Sequence, residues 1–231
     1  HFLGQNFAKS SEIKFLDNAG TEQYAWTTSW GVSTRLIGGL IMSHSDDNGL
    51  VLPPMVAPTH FVILPIFRND EEKIQVMEFV NTLAKELKAQ IYGDEKIRVQ
   101  IDTRDIRGGE KAWQYIKKGV PVRVEIGPRD VAKGAVFFGR RDRDPKEKLS
   151  LSKEEFVSNA PKPLAEIQAT LLERATQLRD SNTKPISSLK EFEEFFAGEG
   201  GGFALCHWHE DAIGNELLAK LKVTPRCIPM D

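Results

Sequence analysis

The chain has 231 residues, 40% of them hydrophobic and 28% charged, which is typical of a globular protein with one large domain or two smaller ones. The net charge of −2 gives no overall signal for nucleic-acid binding, and no uninterrupted apolar run is long enough to span a bilayer. The two cysteines do not suggest a disulfide framework and fit a reducing compartment, so we expect a cytoplasmic protein without a membrane segment.

The N-terminal residues 1–57 are predicted to be the end of one domain. Residue 1 is His rather than Met and no signal sequence follows it, so we expect the chain to be part of a longer protein. Two short strand-like segments flank a turn at residues 17–20. Apolar residues with helical spacing predict a buried helix over residues 34–43, and Pro53-Pro54 mark the start of a linker.

Residues 58–157 alternate between strand and helix signals. The continuous apolar run at residues 60–67 is typical of a strand covered on both faces, and acidic residues 70–72 then begin a helix with one apolar face. The remaining predicted elements are strands at 97–103, 120–126, 135–138 and 148–151 and a helix at 108–118. Because helices cross over between the strands, we expect a mostly parallel or mixed sheet.

Residues 158–231 are predicted to begin with a long amphipathic helix over residues 161–180, followed by a second helix and a glycine-rich hinge at 198–202. The segment Cys206-His207-Trp208-His209, with Cys227 later, contains residue types that bind zinc. The spacing is irregular and no CxxC pair is present. The pattern therefore favours a half-buried thiol beside surface histidines.

Residues 29–35 contain side chains suited to a nucleotide site. Trp30 offers a rigid wall, and Gly31 lets a flat ligand approach the backbone. Arg35 keeps its charge and can bind a phosphate or lie against an aromatic ring. The same segment also fits an ordinary helix start, with Ser33 as the N-cap and Arg35 exposed.

The strand predicted at residues 120–126 contains a second candidate site. Alternation places Arg123 and Glu125 on one face, and Arg129 follows the strand end at Gly127-Pro128. A carboxylate can accept from the Watson–Crick edge of guanine, while arginines stack on bases or bind phosphates. Residues 120–148 hold eight Lys/Arg and five Asp/Glu, a basic stretch that suits a polyanion. The alternative is a surface ion pair between Arg123 and Glu125, which contributes little.

Four segments together resemble the prolyl-tRNA synthetase family of the archaeal/eukaryotic-like type, whose members are class II aminoacyl-tRNA synthetases. Residues 1–7 resemble the end of the element whose histidine contacts proline, and residues 29–35 resemble class II motif 3. Residues 120–130 resemble the core of the anticodon-binding domain, and residues 223–229 resemble the C-terminal domain. The resemblance covers essentially the whole chain.

The resemblance implies a mixed α/β fold class with three parts. Residues 1–57 would be the end of the antiparallel-sheet catalytic domain, including motif 3. Residues 58–157 would be an α/β anticodon-binding domain with a mixed five-stranded sheet. Residues 158–231 would be a small α+β C-terminal domain.

The resemblance also implies a role for particular residues, cofactors and partners. ATP, with Mg²⁺ on its phosphates, L-proline and tRNA(Pro) would be the ligands, and dimerisation would use a part not present here. Motifs 1 and 2 are absent, so this chain alone is not expected to activate proline. The implied site residues are Arg35 for catalysis; Gln5, Ser33 and Arg35 for ATP; His1, Ser29, Trp30 and Gly31 for proline; and Arg123, Glu125 and Arg129 for the anticodon.

The chain departs from the family at the C-terminal zinc site. Where the family often has its first cysteine pair, this sequence has His209 and Gly214, and the second pair would fall beyond residue 231. We therefore expect no structural zinc on these residues and no other metal site.

Two alternatives to a synthetase remain open. A non-catalytic RNA-binding or regulatory protein could reuse the anticodon-binding domain, although it would have no need of residues 29–35. An unrelated ATP-binding enzyme is the other, but the sequence has no P-loop or Rossmann glycine pattern.

Overall fold

Residues 1–43 form the first of two compact units in the computed structural model, which describes residues 1–198, 201–212 and 214–226. Strands β1 and β4 pair antiparallel, as do β2 and β3. The Asp17 carboxylate accepts hydrogen bonds in the turn between β2 and β3. In chain order the elements are β1 (Phe2–Gly4), α1 (Asn6–Ser10), β2 (Lys14–Leu16), β3 (Glu22–Tyr24), β4 (Thr27–Thr28) and α2 (Arg35–His44).

Helix α2 forms where the apolar spacing predicts a helix, but the expectation that it is buried is wrong. None of its residues is buried, and Leu36, Ile37 and Met42 are 65%, 60% and 84% exposed. The spacing of apolar residues identifies one face of a helix, but a buried face also needs a second surface to cover it. The short strands of residues 1–43 do not provide that surface.

The second unit, residues 44–231, is built around a five-stranded sheet. Its elements are β5 (Phe61–Pro65), α3 (Asp70–Ala89), β6 (Ile91–Tyr92), β7 (Glu95–Lys96), β8 (Val99–Ile101), α4 (Gly108–Lys117), β9 (Val122–Ile126), α5 (Pro128–Lys133), β10 (Ala135–Arg140), β11 (Leu149–Ser152), α6 (Lys153–Ser158), α7 (Pro161–Ser181), β12 (Thr183–Pro185), α8 (Leu189–Ala197), β13 (Phe203–Leu205) and α9 (Glu216–Leu221). Strands β12 and β13 form a separate parallel pair. None of the helices in the described ranges is long and apolar enough to cross a membrane.

The strand order in the main sheet is β11-β10-β9-β5-β8. Strands β8, β5 and β9 are parallel, whereas β10 is antiparallel to both β9 and β11. This confirms the prediction of a mixed five-stranded sheet. The crossover helices α3 and α4 return the chain to the same edge each time, so the carboxyl ends of β5, β8 and β9 lie together.

Both faces of the sheet are covered, as the continuous apolar run of β5 predicts. On one face, side chains from α3, α6 and α7 pack against Phe61, Ile63 and Val124 in the main core. On the other face, Val62 and Leu64 pack against Tyr115, near the end of α4, and Val120. Asn69 caps the start of α3 by accepting from the Glu72 N–H at 2.8 Å.

A buried arginine bonds the segment 46–52 to the rest of the second unit. Arg141 donates to both carboxylate oxygens of Asp46, at 2.7 and 2.6 Å, and its Nε donates to the Ile116 carbonyl at 2.9 Å. The Arg141 side chain is 1% exposed and that of Asp46 is 45% exposed. The guanidinium holds the pKa of the Asp46 carboxyl below its usual value.

The compact units divide between residues 43 and 44, because the segment after this point packs with the second unit. Val51, Leu52 and Ala57 are buried, and the Leu50 N–H donates to the Lys117 carbonyl at 3.0 Å. The second unit includes both of the later domains expected from the sequence. The domain boundaries at residues 57 and 157 stay a prediction.

His60 is a buried histidine that the sequence did not single out. It is 1% exposed. Its Nδ1 accepts from the Arg98 backbone N–H at 3.1 Å, and its Nε2 lies 3.1 Å from the Pro54 carbonyl oxygen. Burial lowers the pKa of His60 to about 4, and the nearby Arg98 guanidinium also opposes protonation.

We expect Asp46→Asn to lower the free energy of unfolding by about 2 kcal/mol, because it leaves the buried Arg141 charge without its carboxylate partner. Urea unfolding measures the change. Asp47→Asn, at the exposed neighbouring residue, is the control and should have little effect. Equal stability of the two variants would contradict this role of Asp46.

We also expect the stability to depend on pH through His60. Its pKa is about 4 in the folded chain against an ordinary value of 6.5, so the unfolded chain binds the proton first as the pH falls. The free energy of unfolding should decrease by up to about 1.4 kcal/mol for each pH unit across that interval. Urea unfolding of the wild type and His60→Gln at several pH values tests this, and parallel pH curves would show that His60 contributes nothing.

Candidate functional site

The first candidate site is a hollow of about 540 Å³ in the first unit. The pairing of β1 with β4 forms it, and the Ser29 N–H donates to the His1 carbonyl at 2.8 Å. The lining residues are His1, Phe2, Thr28, Ser29, Trp30, Gly31 and Val32. The structure therefore brings together the four residues that the resemblance implies for proline.

The hollow has apolar walls that are open to solvent. Trp30 is 93% exposed, and its Nε1 donates to the Thr28 hydroxyl at 3.2 Å. Phe2 stacks on Trp26 with ring centroids 5.6 Å apart. A β-carbon placed on Gly31 would have no atom within 4 Å. The backbone at this position is therefore accessible to a flat or cyclic ligand.

The residues expected to bind ATP lie outside the lining of this hollow. Arg35 begins α2 with an exposed side chain, and its N–H donates to the Ser33 hydroxyl at 3.4 Å. Arg35 is therefore exposed, as the alternative of an ordinary helix start predicts, whereas Ser33 as the N-cap stays a prediction. The Gln5 amide donates to the Tyr24 carbonyl at 2.8 Å. The ATP assignments stay predictions, since residues 1–43 do not gather these three side chains around one cavity.

The second candidate site lies on β9 and the turn after it. Cross-strand pairing places Arg123 beside Val62 and Gly139, and Glu125 beside Leu64 and Phe137. Arg123 and Glu125 therefore share one face, as their alternation predicts. Arg129, in the first turn of α5, is exposed at the carboxyl end of the strand. It is the predicted anticodon residue that the structure places most openly at the surface.

The other two predicted anticodon residues are less accessible. Glu125 forms an ion pair with Lys148, and their side chains are 22% and 18% exposed. Arg123 is 1% exposed, and its burial lowers the pKa of its guanidinium. The alternative of a surface ion pair between Arg123 and Glu125 is wrong in this structure, because Lys148 is the partner of Glu125 and Arg123 is buried. A direct base contact by Arg123 needs a change of conformation.

A charged cluster at the same sheet edge was missed from the sequence. Asp102, which follows β8, is 3% exposed and accepts from Arg104 Nε and Nη2 at 2.9 and 2.7 Å. This pairing lowers the pKa of Asp102 to about 2. Buried Lys111 donates to the Asp102 carbonyl at 3.2 Å. The cluster holds the half-exposed Arg104 in a fixed position. A carboxylate near the end of the predicted strand 97–103, with an arginine directly after that strand, was the available signal.

The cysteine and histidine segment of the C-terminal part does not form a metal centre within residues 1–198, 201–212 and 214–226, where no group of three His, Cys, Asp or Glu residues could hold a metal ion. Cys206 is exposed, and His209 Nδ1 lies 3.3 Å from Asp211 Oδ2. Cys227 lies outside the described residues. That the segment binds no zinc stays a prediction.

Comparison with known proteins defines the class first. Residues 60–162 match the family model described as an anticodon binding domain, which is the region built around the five-stranded sheet. Curated relatives match across the whole chain, so the similarity also includes the first unit. The chain belongs to the prolyl-tRNA synthetase family and corresponds to the C-terminal part of its members.

Two curated relatives and one solved structure illustrate this membership. The proline–tRNA ligase of Bdellovibrio bacteriovorus is 63% identical over 234 residues, covering 100% of this chain and 47% of the relative. That of Rhodopirellula baltica is 52% identical over 99% of this chain and 46% of the relative. The crystal structure of Cryptosporidium parvum prolyl-tRNA synthetase, complexed with L-proline and AMP, aligns with a TM-score of 0.82 and 35% identity over 100% of this chain and 49% of that one.

The chain spans about half the length of the curated relatives that it matches. The similarity nevertheless covers the hollow in residues 1–43, the sheet and the C-terminal helices alike. This confirms the resemblance noted from the sequence.

Proposed function

We propose that this chain is part of an enzyme that joins L-proline to tRNA(Pro) through prolyl-adenylate. The observation that carries the proposal is the 63% identity to a proline–tRNA ligase across the whole chain. The match includes residues 1–59, which lie outside the anticodon-binding family model. The alternative, a non-catalytic RNA-binding protein, would require only the domain that this model covers.

In the proposed organisation residues 1–57 end the catalytic domain, residues 58–157 bind the anticodon and residues 158–231 form the C-terminal domain. The exposed apolar face of α2 supports the first part of this scheme, because a helix face of this kind is normally covered. We propose that the rest of the catalytic domain covers it. The enzyme would be a cytoplasmic homodimer that dimerises through a part outside this chain.

Proline would bind in the hollow between β1 and β4. The aromatic rings of Phe2 and Trp30 and the side chain of Val32 offer apolar contacts to its pyrrolidine ring. The proline carboxylate then attacks the α-phosphorus of ATP, the bond to the bridging oxygen breaks and pyrophosphate leaves. Catalysis of such a step depends on positioning the reactants and on neutralising phosphate charge.

Arg35 would contribute the positive charge on the nucleotide. A magnesium ion would supply further neutralisation when bound to the ATP phosphates. The lining of the hollow contains no carboxylate, so we expect the phosphates, rather than the lining residues, to hold the ion. After adenylate formation, the prolyl group is transferred to the tRNA.

The anticodon-binding domain would select tRNA(Pro) by reading guanine bases. The Glu125 carboxylate can accept from guanine N1–H and N2–H, and the exposed Arg129 can bind a phosphate or stack on a base. The positions of these residues near the carboxyl ends of β5, β8 and β9 support this, since Arg104 adds a further cation at that edge.

We predict that Arg35→Ala, in a protein with this chain and the full length of its relatives, lowers kcat/KM for ATP by about tenfold or more. The substitution removes a charged hydrogen-bond donor to a phosphate. ATP–pyrophosphate exchange measures it. Lys9→Ala removes an exposed cation of the same unit and is the control. An unchanged exchange rate in Arg35→Ala would refute the role.

We predict that Glu125→Gln in the same full-length protein lowers kcat/KM for tRNA(Pro) charging by an amount equivalent to about 1–3 kcal/mol, the usual cost of one base-edge contact. ATP–pyrophosphate exchange should not change. Glu154→Gln, at an exposed position on α6, is the matched control. Normal charging by Glu125→Gln would rule out base reading by this carboxylate.

A further inference from the structure

Two basic residues, Lys148 and Arg123, neighbour Glu125 on the sheet. Lys148 Nζ, just before β11, forms an ion pair with Glu125 Oε1, and both side chains remain partly exposed. Arg123 lies two residues before Glu125 on the same strand face. Its side chain is buried, and the residue is 1% exposed. Glu125 is therefore held by the outer cation while a second cation lies buried beside it.

The buried guanidinium has unused donors. Arg123 Nε and Nη1 have no hydrogen-bond partner among the residues that the structure describes. Buried donors without partners are rare and costly, and a charged donor attracts any carboxylate within reach. The charge of Glu125 raises the pKa of Arg123, against the larger lowering by burial. The inward site is therefore an attractive position for the Glu125 carboxylate.

Lys148 is well placed to keep Glu125 out of that position. Its Nζ lies 5.7 Å from the centroid of the Phe137 ring, the residue paired with Glu125 across β9 and β10. Its Cδ would lie 3.1 Å from a β-carbon placed on Gly139. The lysine stem therefore runs past Gly139 and Phe137 on the same face of the sheet as Glu125. Because Arg123 and Glu125 lie on the same face of β9, a different staggered rotamer of Glu125 would direct its carboxylate toward Arg123 instead of Lys148.

We propose that Lys148 is a positioning residue that holds Glu125 in its outward, base-reading position and prevents its capture by Arg123. The inference rests on the proposed role of Glu125 in accepting from guanine. In the outward position Oε2 is not engaged by Lys148, so it can accept from a base. In the inward position both oxygens would be engaged by the guanidinium, and preference for guanine would be lost.

The test compares two RNA hairpins bound to this chain. One contains two adjacent guanines in its loop, and the other contains inosines, which lack the N2 amine. The quantity measured is the ratio of the two dissociation constants. We expect Lys148→Met to reduce the preference for guanine about tenfold, the size of one base-edge contact, and Lys148→Arg to retain it. Lys133→Met, at an exposed cation of α5, should weaken both hairpins equally, as loss of a phosphate contact does.

A second substitution tests the capture itself. Arg123→Met in the Lys148→Met background removes the inward donors, so we expect the preference for guanine to recover. An unchanged ratio in Lys148→Met would overturn the proposal, and so would a folded double variant without recovery. Thermal unfolding shows whether the double variant folds. If it does not, the single variants decide. Loss of the preference for guanine in Lys148→Met with its retention in Lys148→Arg supports the proposal, and equal loss in both variants contradicts it.

Glu125→Gln separates this inference from the proposed function. If that variant keeps the wild-type ratio, Glu125 does not read guanine and the proposed anticodon role fails, together with the role of Lys148. If Glu125→Gln loses the preference while Lys148→Met keeps it, only the role of Lys148 is wrong.

Discussion

The position of β9 between β5 and β10 determines where the charges of the candidate anticodon site lie. A strand with a neighbour on each side and helices over the sheet has its side chains on covered faces. Val122, Val124 and Ile126 fill the main core, so Arg123 and Glu125 must point to the other face. Near the carboxyl end of the strand that face becomes accessible. The same alternation therefore buries one charge and leaves the next within reach of solvent.

The two candidate sites differ in how far the residues of this chain enclose them. The neighbouring strands and the helices packed on the sheet surround β9. The hollow of the first unit is formed by two short paired strands, and its aromatic walls face solvent. Its lining residues converge, but the arginine proposed for the nucleotide does not join them within residues 1–43. A cavity that encloses two substrates would need further surfaces on this side.

Local patterns in the sequence were sufficient for most elements. The apolar run of β5, the stripe of α3 and the alternation of β9 each depend on neighbours within a few residues, and each is confirmed. The predicted strand at 97–103 was too long, since β8 covers only Val99–Ile101 and the residues after it turn back to hold Asp102 and Arg104 together.

Long-range pairings were the part that the sequence could not supply. Arg123 is buried with Gly139 opposite it, and the partner of Glu125 is Lys148 rather than its neighbour on the strand. Arg141 reaches Asp46 across 95 residues. Because residues of opposite charge are frequent in this chain, its composition does not show which of them form ion pairs. The sheet register makes that choice.

Gly139 lets the side chains of Lys148 and Arg123 lie close to the backbone of β10. Glycine inside a strand lacks a side chain to pack and loses more freedom on folding than other residues. Here the space it leaves is occupied from both sides, because an added β-carbon would lie 3.1 Å from Lys148 Cδ and 3.5 Å from Arg123 Nη2. A methyl group at 139 would make an ordinary contact with Arg123 and would push the Lys148 stem outward by a few tenths of an ångström. The stem of Lys148 can therefore lie directly across the strand at position 139, an approach that any larger residue there would push outward.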